Sequence, residues 1–464
     1  MARDELAPLT ERWSPGDLSR PLPRIEASDI PTAVANAEAA RRDWANTPLP
    51  QKITHLRDAE QALLKATEEL AHGISLEVGK PLTESRAEVS AVIQKFNLTI
   101  DDAHRYLPDE VTSDGPHPAL IRRQARGPAA VICPFNFPLH LGHGATIAHL
   151  LAGNPVLFKP SPYAAALGAT YGNLLEPLFP PGVFQVVQGG AQTGEALALN
   201  PKVRAVCFTG STTVGRQLAQ NLAADFSKDL ALELGGSNAL IVCADADIEQ
   251  AAKAAAEGAC LTAGQRCNAT SRIILERSIA RKFQEHFLSA LASFQLGDPL
   301  LTSTRLGPVI SADAVARYQR LTAQYPGQWI LPGQVQPMVD GRRGHYLHPA
   351  AVLRTDNGVG DQENFLPIVS LFIVADLDEA IHLQSLSADG LTASIFTRSE
   401  QTFQALGRRL EVGNLYANLP TTFSPSTLPF GGIKDSGNGR PGGRGFLRFT
   451  TTEQAVQWTK WSSI

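Results

Sequence analysis

Between residues 128 and 240 five short apolar runs (129–133, 155–158, 184–187, 205–208 and 230–234) alternate with helical patterns at 144–152, 164–178, 192–199 and 213–224. No other feature restricts the fold so strongly. The runs are mostly apolar instead of alternating, so each strand is expected to be covered on both faces, and helices supply the cover. That combination predicts a parallel, doubly wound α/β sheet. Such a sheet binds its ligands at the carboxyl ends of its strands.

A second alternating region runs from 239 to about 412, with helical patterns at 248–262, 279–294 and 312–324, and predicts a second α/β domain. Ahead of the first sheet, residues 1 to about 50 are rich in proline and polar groups and read as a wrapping segment. Leu56, Ala59, Leu63, Ala66 and Leu70 then recur at three- and four-residue steps, predicting an amphipathic helix that Gly73 ends. A further helix is expected from Pro81 to about Tyr106. Residues 111–126 read as an exposed hairpin, and 446–458 as an edge strand docking on another surface.

Composition excludes other classes of function. A net charge of −4 supplies no basic surplus for nucleic acid. No run approaches the roughly 20 apolar residues of a membrane span, and the Met1-Ala2-Arg3-Asp4 opening does not read as a signal peptide. Five cysteines, at 133, 207, 243, 260 and 267, form no C-x-x-C pair, so a reducing, cytoplasmic setting is expected, without disulfides. His140/His143 and His345/His348 have no companion set of carboxylates or cysteines, and no metal site is expected.

Chemistry concentrates at strand ends. Cys267, after Gly264-Gln265-Arg266, is either a buried small hydrophobe or a nucleophile. Asn136, held between Pro134 and Pro138, is either a turn former or an oxyanion donor. Glu233, which interrupts an apolar run before Gly235-Gly236, is either a solvated strand end or a general base. Lys159 ends another strand, within reach of a ribose or phosphate. Gly210, Ser211, Thr212, Thr213, Val214 and Gly215 place small and hydroxyl residues between a strand and a helix, where free N–H groups favour an anion. A literal G-x-G-x-x-G at 437–442 lacks the preceding strand and following helix, and is rejected as a dinucleotide fingerprint.

In order along the chain, Pro134-Phe135-Asn136-Phe137-Pro138, Gly153-Asn154 to Lys159-Pro160, Phe208-Thr209-Gly210-Ser211 to Gly215, Leu232-Glu233-Leu234-Gly235-Gly236, Gly264-Gln265-Arg266-Cys267 and Pro429-Phe430-Gly431-Gly432 resemble the aldehyde dehydrogenase superfamily. The resemblance implies a Rossmann-type NAD-binding domain (1–106 and 127–234), a catalytic domain (235–430) and a small β oligomerisation arm (107–126 and 440–464). It also implies a homodimer or dimer of dimers. Cys267 would form a thioester with the aldehyde, Asn136 would hold the oxyanion, and Glu233 would activate water. Lys159 and residues 210–215 would contact the cofactor, as would Glu363 and Phe365, with Leu366 standing where the family usually has glycine. Pro162 replaces a ribose-binding glutamate of many NAD-specific members, so NAD is expected, with NADP tolerated. Within the family, Pro138-x-His140-Leu141-x-x-Gly144, Asn418-x-Pro420-Thr421-Thr422 and Gly437-Asn438-x-Arg440-Pro441 resemble the branch acting on N-succinylglutamate 5-semialdehyde in arginine catabolism. Arg440 and Phe423 are its candidate substrate contacts.

Overall fold

The computed structural model describes residues 11–359 and 362–459; the Met1-Ala2-Arg3-Asp4 opening, Asp361 and the last five residues of the expected arm lie outside them. Two sheets carry the architecture. The first has six strands in the order Gly437–Asn438, Asp229–Glu233, Ala205–Thr209, Ala129–Ile132, Val156–Lys159, Phe184–Val186. All are parallel except the first, which pairs antiparallel with Asp229–Glu233. Helices cover both faces, and the strand side chains are mostly buried, as their largely apolar runs require.

Register decides what this sheet presents. Ile132 lies opposite both Lys159 and Phe208, and Thr209 lies opposite Glu233. Four strands therefore end together, with Lys159 and Glu233 on the same carboxyl-end rim.

The second sheet has seven strands, in the order Gly327–Leu331, Ala350–Arg354, Ile368–Val374, Thr270–Glu276, Asn238–Val242, Thr392–Phe396, Asn414–Ala417. Only the edge strand Gly327–Leu331 runs antiparallel. A separate antiparallel sheet joins Glu110–Ser113, Ala119–Ala125 and Thr451–Gln457. Residues from two distant parts of the sequence thus build one projecting arm. Phe446–Thr450, expected as the start of its last strand, is a 3-10 turn instead, because Phe446 and Leu447 are buried against the main body.

The helix expected to end at Gly73 does not end there. Helix Leu49–Lys65 breaks at Ala66 (φ −94°, ψ 12°), and a second helix, Thr67–Val78, runs through Gly73 to Gly79. Gly79 has a φ of 76°, the left-handed conformation that suits glycine just past a helix end. Gly73 serves packing: a Cβ there would sit 3.1 Å from Leu167 Cδ1.

Among the described residues no helix is long and apolar enough to cross a membrane.

Candidate active site

Three small structural devices bring the reactive side chains together. The first follows helix Ile248–Cys260, where Thr262 (φ 53°), Ala263 (φ 54°) and Gly264 (φ 71°) are all left-handed. Two non-glycine residues in that region are costly and persist only where their surroundings hold them. Glu84 does so, from helix Leu82–Tyr106. Its carboxylate accepts from Thr262 N–H at 3.2 Å, Thr262 Oγ1 at 2.8 Å and Arg266 Nη2 at 2.7 Å. On the far side, Asn238 Nδ2 donates to the carbonyls of Cys267 at 2.8 Å and Ala269 at 3.0 Å. Cys267 is clamped from both ends.

The second device fixes Asn136. Glu88 Oε1 accepts from the N–H groups of Leu139 and His140, each at 3.1 Å, at the start of helix His140–Ala152. Its other oxygen accepts from Lys80 Nζ at 2.5 Å, and both side chains are fully buried. The Lys80 ammonium also lies 3.7 Å from the centre of the Phe137 ring. One buried ion pair therefore holds the Asn136-Phe137-Pro138 loop, and the Asn136 side chain is left without a hydrogen-bond partner among the described residues.

The third device is the rim itself. Ser211 caps helix Thr212–Leu222, its Oγ accepting from Val214 N–H at 3.4 Å. Gly215 lets that helix lie against the sheet, since a Cβ there would meet Leu234 Cδ2 at 2.5 Å.

A cavity of about 860 Å³ connects these devices. Its lining includes Asn136, Lys159, Gly210, Ser211, Val214, Glu233, Cys267, Glu363 and Phe365. Thr212, Thr213 and Gly215 do not line it; they form and pack the first turn of the helix behind it. Glu363 Oε1 accepts from Gly236 N–H at 3.2 Å, and only the missing Cβ of Gly235 leaves it room, since that atom would lie 2.5 Å from Oε2. Phe365 has a φ of 51° and meets Phe135 edge to face at 5.9 Å. The left-handed turn falls on Phe365, so Leu366 fits where the family usually has glycine.

Electrostatics single out two carboxylates. Glu233 is 1% exposed and neither of its oxygens has a hydrogen-bond partner among the described residues; burial raises its pKa to about 8, with Arg440 and Lys95 opposing and Glu363 adding. Burial likewise raises Glu363 to about 8. Burial, with the negative charges of Glu233 and Glu363, also pushes the Cys267 thiol well above its ordinary value. Unlike the other four cysteines, which are buried, Cys267 is half-buried at the cavity wall.

The two substrate candidates separate. The half-buried Arg440 turns inward, donating to the carbonyls of Gly413 and Gly431, with its charge acting on Glu233. Phe423 is 41% exposed, leans edge to face on Tyr416 at 5.8 Å and lines no part of the cavity, because its loop turns outward. Lys80, Glu84, Glu88 and Asn238 were not anticipated from sequence. Asn238 opens an apolar strand run and so carried a signal, whereas Lys80, in the link between two helices, and Glu84 and Glu88, on ordinary polar helix positions, carried none.

The cavity suits a dinucleotide: it has the volume of a cofactor site, and its lining combines the Lys159 ammonium, the start of helix Thr212–Leu222, the Glu363 carboxylate and the Phe135 and Phe365 rings. Residues 14–456 match the model of the aldehyde dehydrogenase family. The N-succinylglutamate 5-semialdehyde dehydrogenase 1 of Caulobacter vibrioides is 34% identical over 420 residues, covering 90% of this chain and 89% of that one. Among solved structures, a glyceraldehyde-3-phosphate dehydrogenase from Methanocaldococcus jannaschii, complexed with NADP, is similar with a TM-score of 0.89 and 27% identity, over 99% of this chain and 100% of that one. A 1-pyrroline-5-carboxylate dehydrogenase from Thermus, with bound NAD, is similar with a TM-score of 0.91 and 26% identity, over 97% and 90%. The chain belongs to the aldehyde dehydrogenase family and is an oxidoreductase that acts on aldehydes with NAD(P).

Proposed function

We propose that this protein oxidises a small acidic semialdehyde to its carboxylic acid through a thioester on Cys267. The observation that carries the reading is that one cavity is lined by Asn136, Glu233 and Cys267 together with Lys159, Glu363 and Phe365. The Cys267 thiol, pushed above its usual pKa, is protonated at rest and loses its proton to solvent water before the sulfur attacks. The sulfur adds to the aldehyde carbon as the carbonyl π pair moves to oxygen, and the Asn136 amide donates to that oxyanion. NAD(P), when bound, supplies the acceptor for the hydride that leaves this carbon. Glu233 then takes a proton from water as the water attacks the thioester, and the C–S bond breaks to release the acid and the cysteine sulfur.

Lys159 would bind the ribose or phosphate, the first turn of helix Thr212–Leu222 the phosphate, and Glu363 with Phe365 the nicotinamide end. Pro162 brings no carboxylate to repel a second phosphate, so NAD is the preferred cofactor and NADP is tolerated. The Caulobacter relative and the residues around Arg440 favour N-succinylglutamate 5-semialdehyde as substrate. The projecting arm, with three strands and open edges, favours a homodimer or dimer of dimers.

Formation of NADH and NADPH by the purified protein over a panel of aldehydes, beside Cys267→Ala, tests the proposal. Turnover of succinylglutamate semialdehyde that disappears in the variant is expected. Turnover confined to other aldehydes would discard the substrate, and no turnover at all would discard the reaction.

A further inference from the structure

Lys95 is a buried cation that the chemistry above does not use. It lies on helix Leu82–Tyr106, is 5% exposed, and makes no side-chain hydrogen bond or ion pair with any described residue. The helix opposite leaves space for it: a Cβ at Gly144 would lie 2.7 Å from Lys95 Nζ. Every neighbouring carboxylate on its own helix is already committed. Glu84 is bound to Arg266, Glu88 to Lys80, and Asp102 to Arg444 Nε at 2.8 Å and Gly445 N–H at 2.7 Å. Glu233 is close enough for the two charges to influence one another, yet no ion pair joins them.

Buried polar atoms without a hydrogen-bond partner among the described residues include His140 Nδ1, His143 Nε2 and both oxygens of Glu233. Burial depresses both histidines and leaves them neutral, and the Lys95 charge adds to the effect. A small void of about 20 Å³ adjoins Lys95, lined also by Thr99, Gly144, Ser426, Arg444 and Asp102, whose carboxylate is already paired with Arg444. It has room for the tip of a ligand and not for a whole one.

Burial lowers the pKa of the Lys95 ammonium to about 8, the cost of holding a cation with no ion-pair partner among the described residues, and folding alone has no reason to retain it. We infer that the Lys95 ammonium is the anchor for the carboxylate of the acidic aldehyde, and so sets the preference for anionic over neutral substrates. The inference rests on the proposed oxidation of an acidic semialdehyde and names the group that recognises it. In this arrangement the substrate spans from Cys267, past Glu233, to Lys95, and its negative end supplies the counter-ion. Ser426 closes the void.

The test compares wild type, Lys95→Met and Lys95→Arg with succinylglutamate semialdehyde and with hexanal. In Lys95→Met the ratio of kcat/KM for the acidic aldehyde to that for hexanal is expected to fall at least tenfold, mainly through KM, and Lys95→Arg is expected to restore part of it. An unchanged ratio, or an equal loss on both aldehydes, overturns the inference. Calorimetric binding of N-succinylglutamate to Cys267→Ala, with and without Lys95→Met, reads the anchor without turnover. Affinity lowered tenfold by Lys95→Met supports it even if oxidation fails, and equal affinity overturns it.

Discussion

The pH dependence of the second half-reaction follows from the burial of Glu233. A general base works only when ionised, and burial raises this carboxyl to about pH 8. Because its pKa lies above the ordinary carboxylate range, the active form is present above that value and is lost as pH falls through it. With a pKa of about 8, roughly nine-tenths of the base is ionised at about pH 9 and roughly one-eleventh at about pH 7, a drop of about tenfold in hydrolysis rate. Glu233→Gln keeps the shape and removes the base, which costs about a hundredfold or more in hydrolysis. Stopped-flow measurement with saturating NAD and aldehyde separates the steps. Wild type should show a steady rate that rises across this pH window, and Glu233→Gln should show a single burst of NADH per site followed by almost no turnover. A steady rate in Glu233→Gln equal to that of wild type, or a flat wild-type profile across the window, would refute Glu233 as the base.

Cys267→Ala should abolish NADH formation while leaving cofactor affinity near that of wild type, as read by fluorescence titration; residual turnover would point to another nucleophile. Lys80→Met leaves Glu88 buried without its cation, which costs about 3–5 kcal/mol. Its melting temperature and kcat should both fall, and an unchanged melting temperature would refute the role given to this pair. Gly235→Ala places a methyl 2.5 Å from Glu363 Oε2 and should displace that carboxylate. The cofactor Kd should then rise about tenfold through the lost charged hydrogen bond, and unchanged affinity would remove Glu363 from the cofactor site. In the proposed dimer or dimer of dimers, deletion of the residues from Thr451 onward removes one strand of the arm, and sedimentation should show smaller species than wild type; equal sedimentation would refute the role given to the arm.

What could be read in advance depended on how far apart the cooperating residues lie. The doubly wound sheet was legible because each strand carries its own burial signal, and the ends of those runs located Lys159 and Glu233 on one rim before any pairing was known. Asn136 and Cys267 stood out through their immediate neighbours, two prolines in one case and a glycine after a small-residue helix in the other. The break at Ala66 was not legible, because the apolar spacing continues across it, and Gly73 misled because a glycine chosen for close packing looks the same as one chosen to end a helix.

The supports of the site were hidden for a different reason. Glu84 reaches Thr262 across 178 residues, and Glu88 reaches Leu139 across 51. On the helical pattern that contains them, both read as ordinary polar positions on a solvated face. Their burial comes entirely from tertiary packing, which no local pattern encodes. The same reasoning explains Leu366: the positive φ sits on Phe365, and Gly264, across the fold, provides the space, since a Cβ there would lie 2.3 Å from the Leu366 carbonyl oxygen. The reactive groups are thus local features of the sequence, whereas the geometry that makes them act together is shared between residues that meet only in the folded chain.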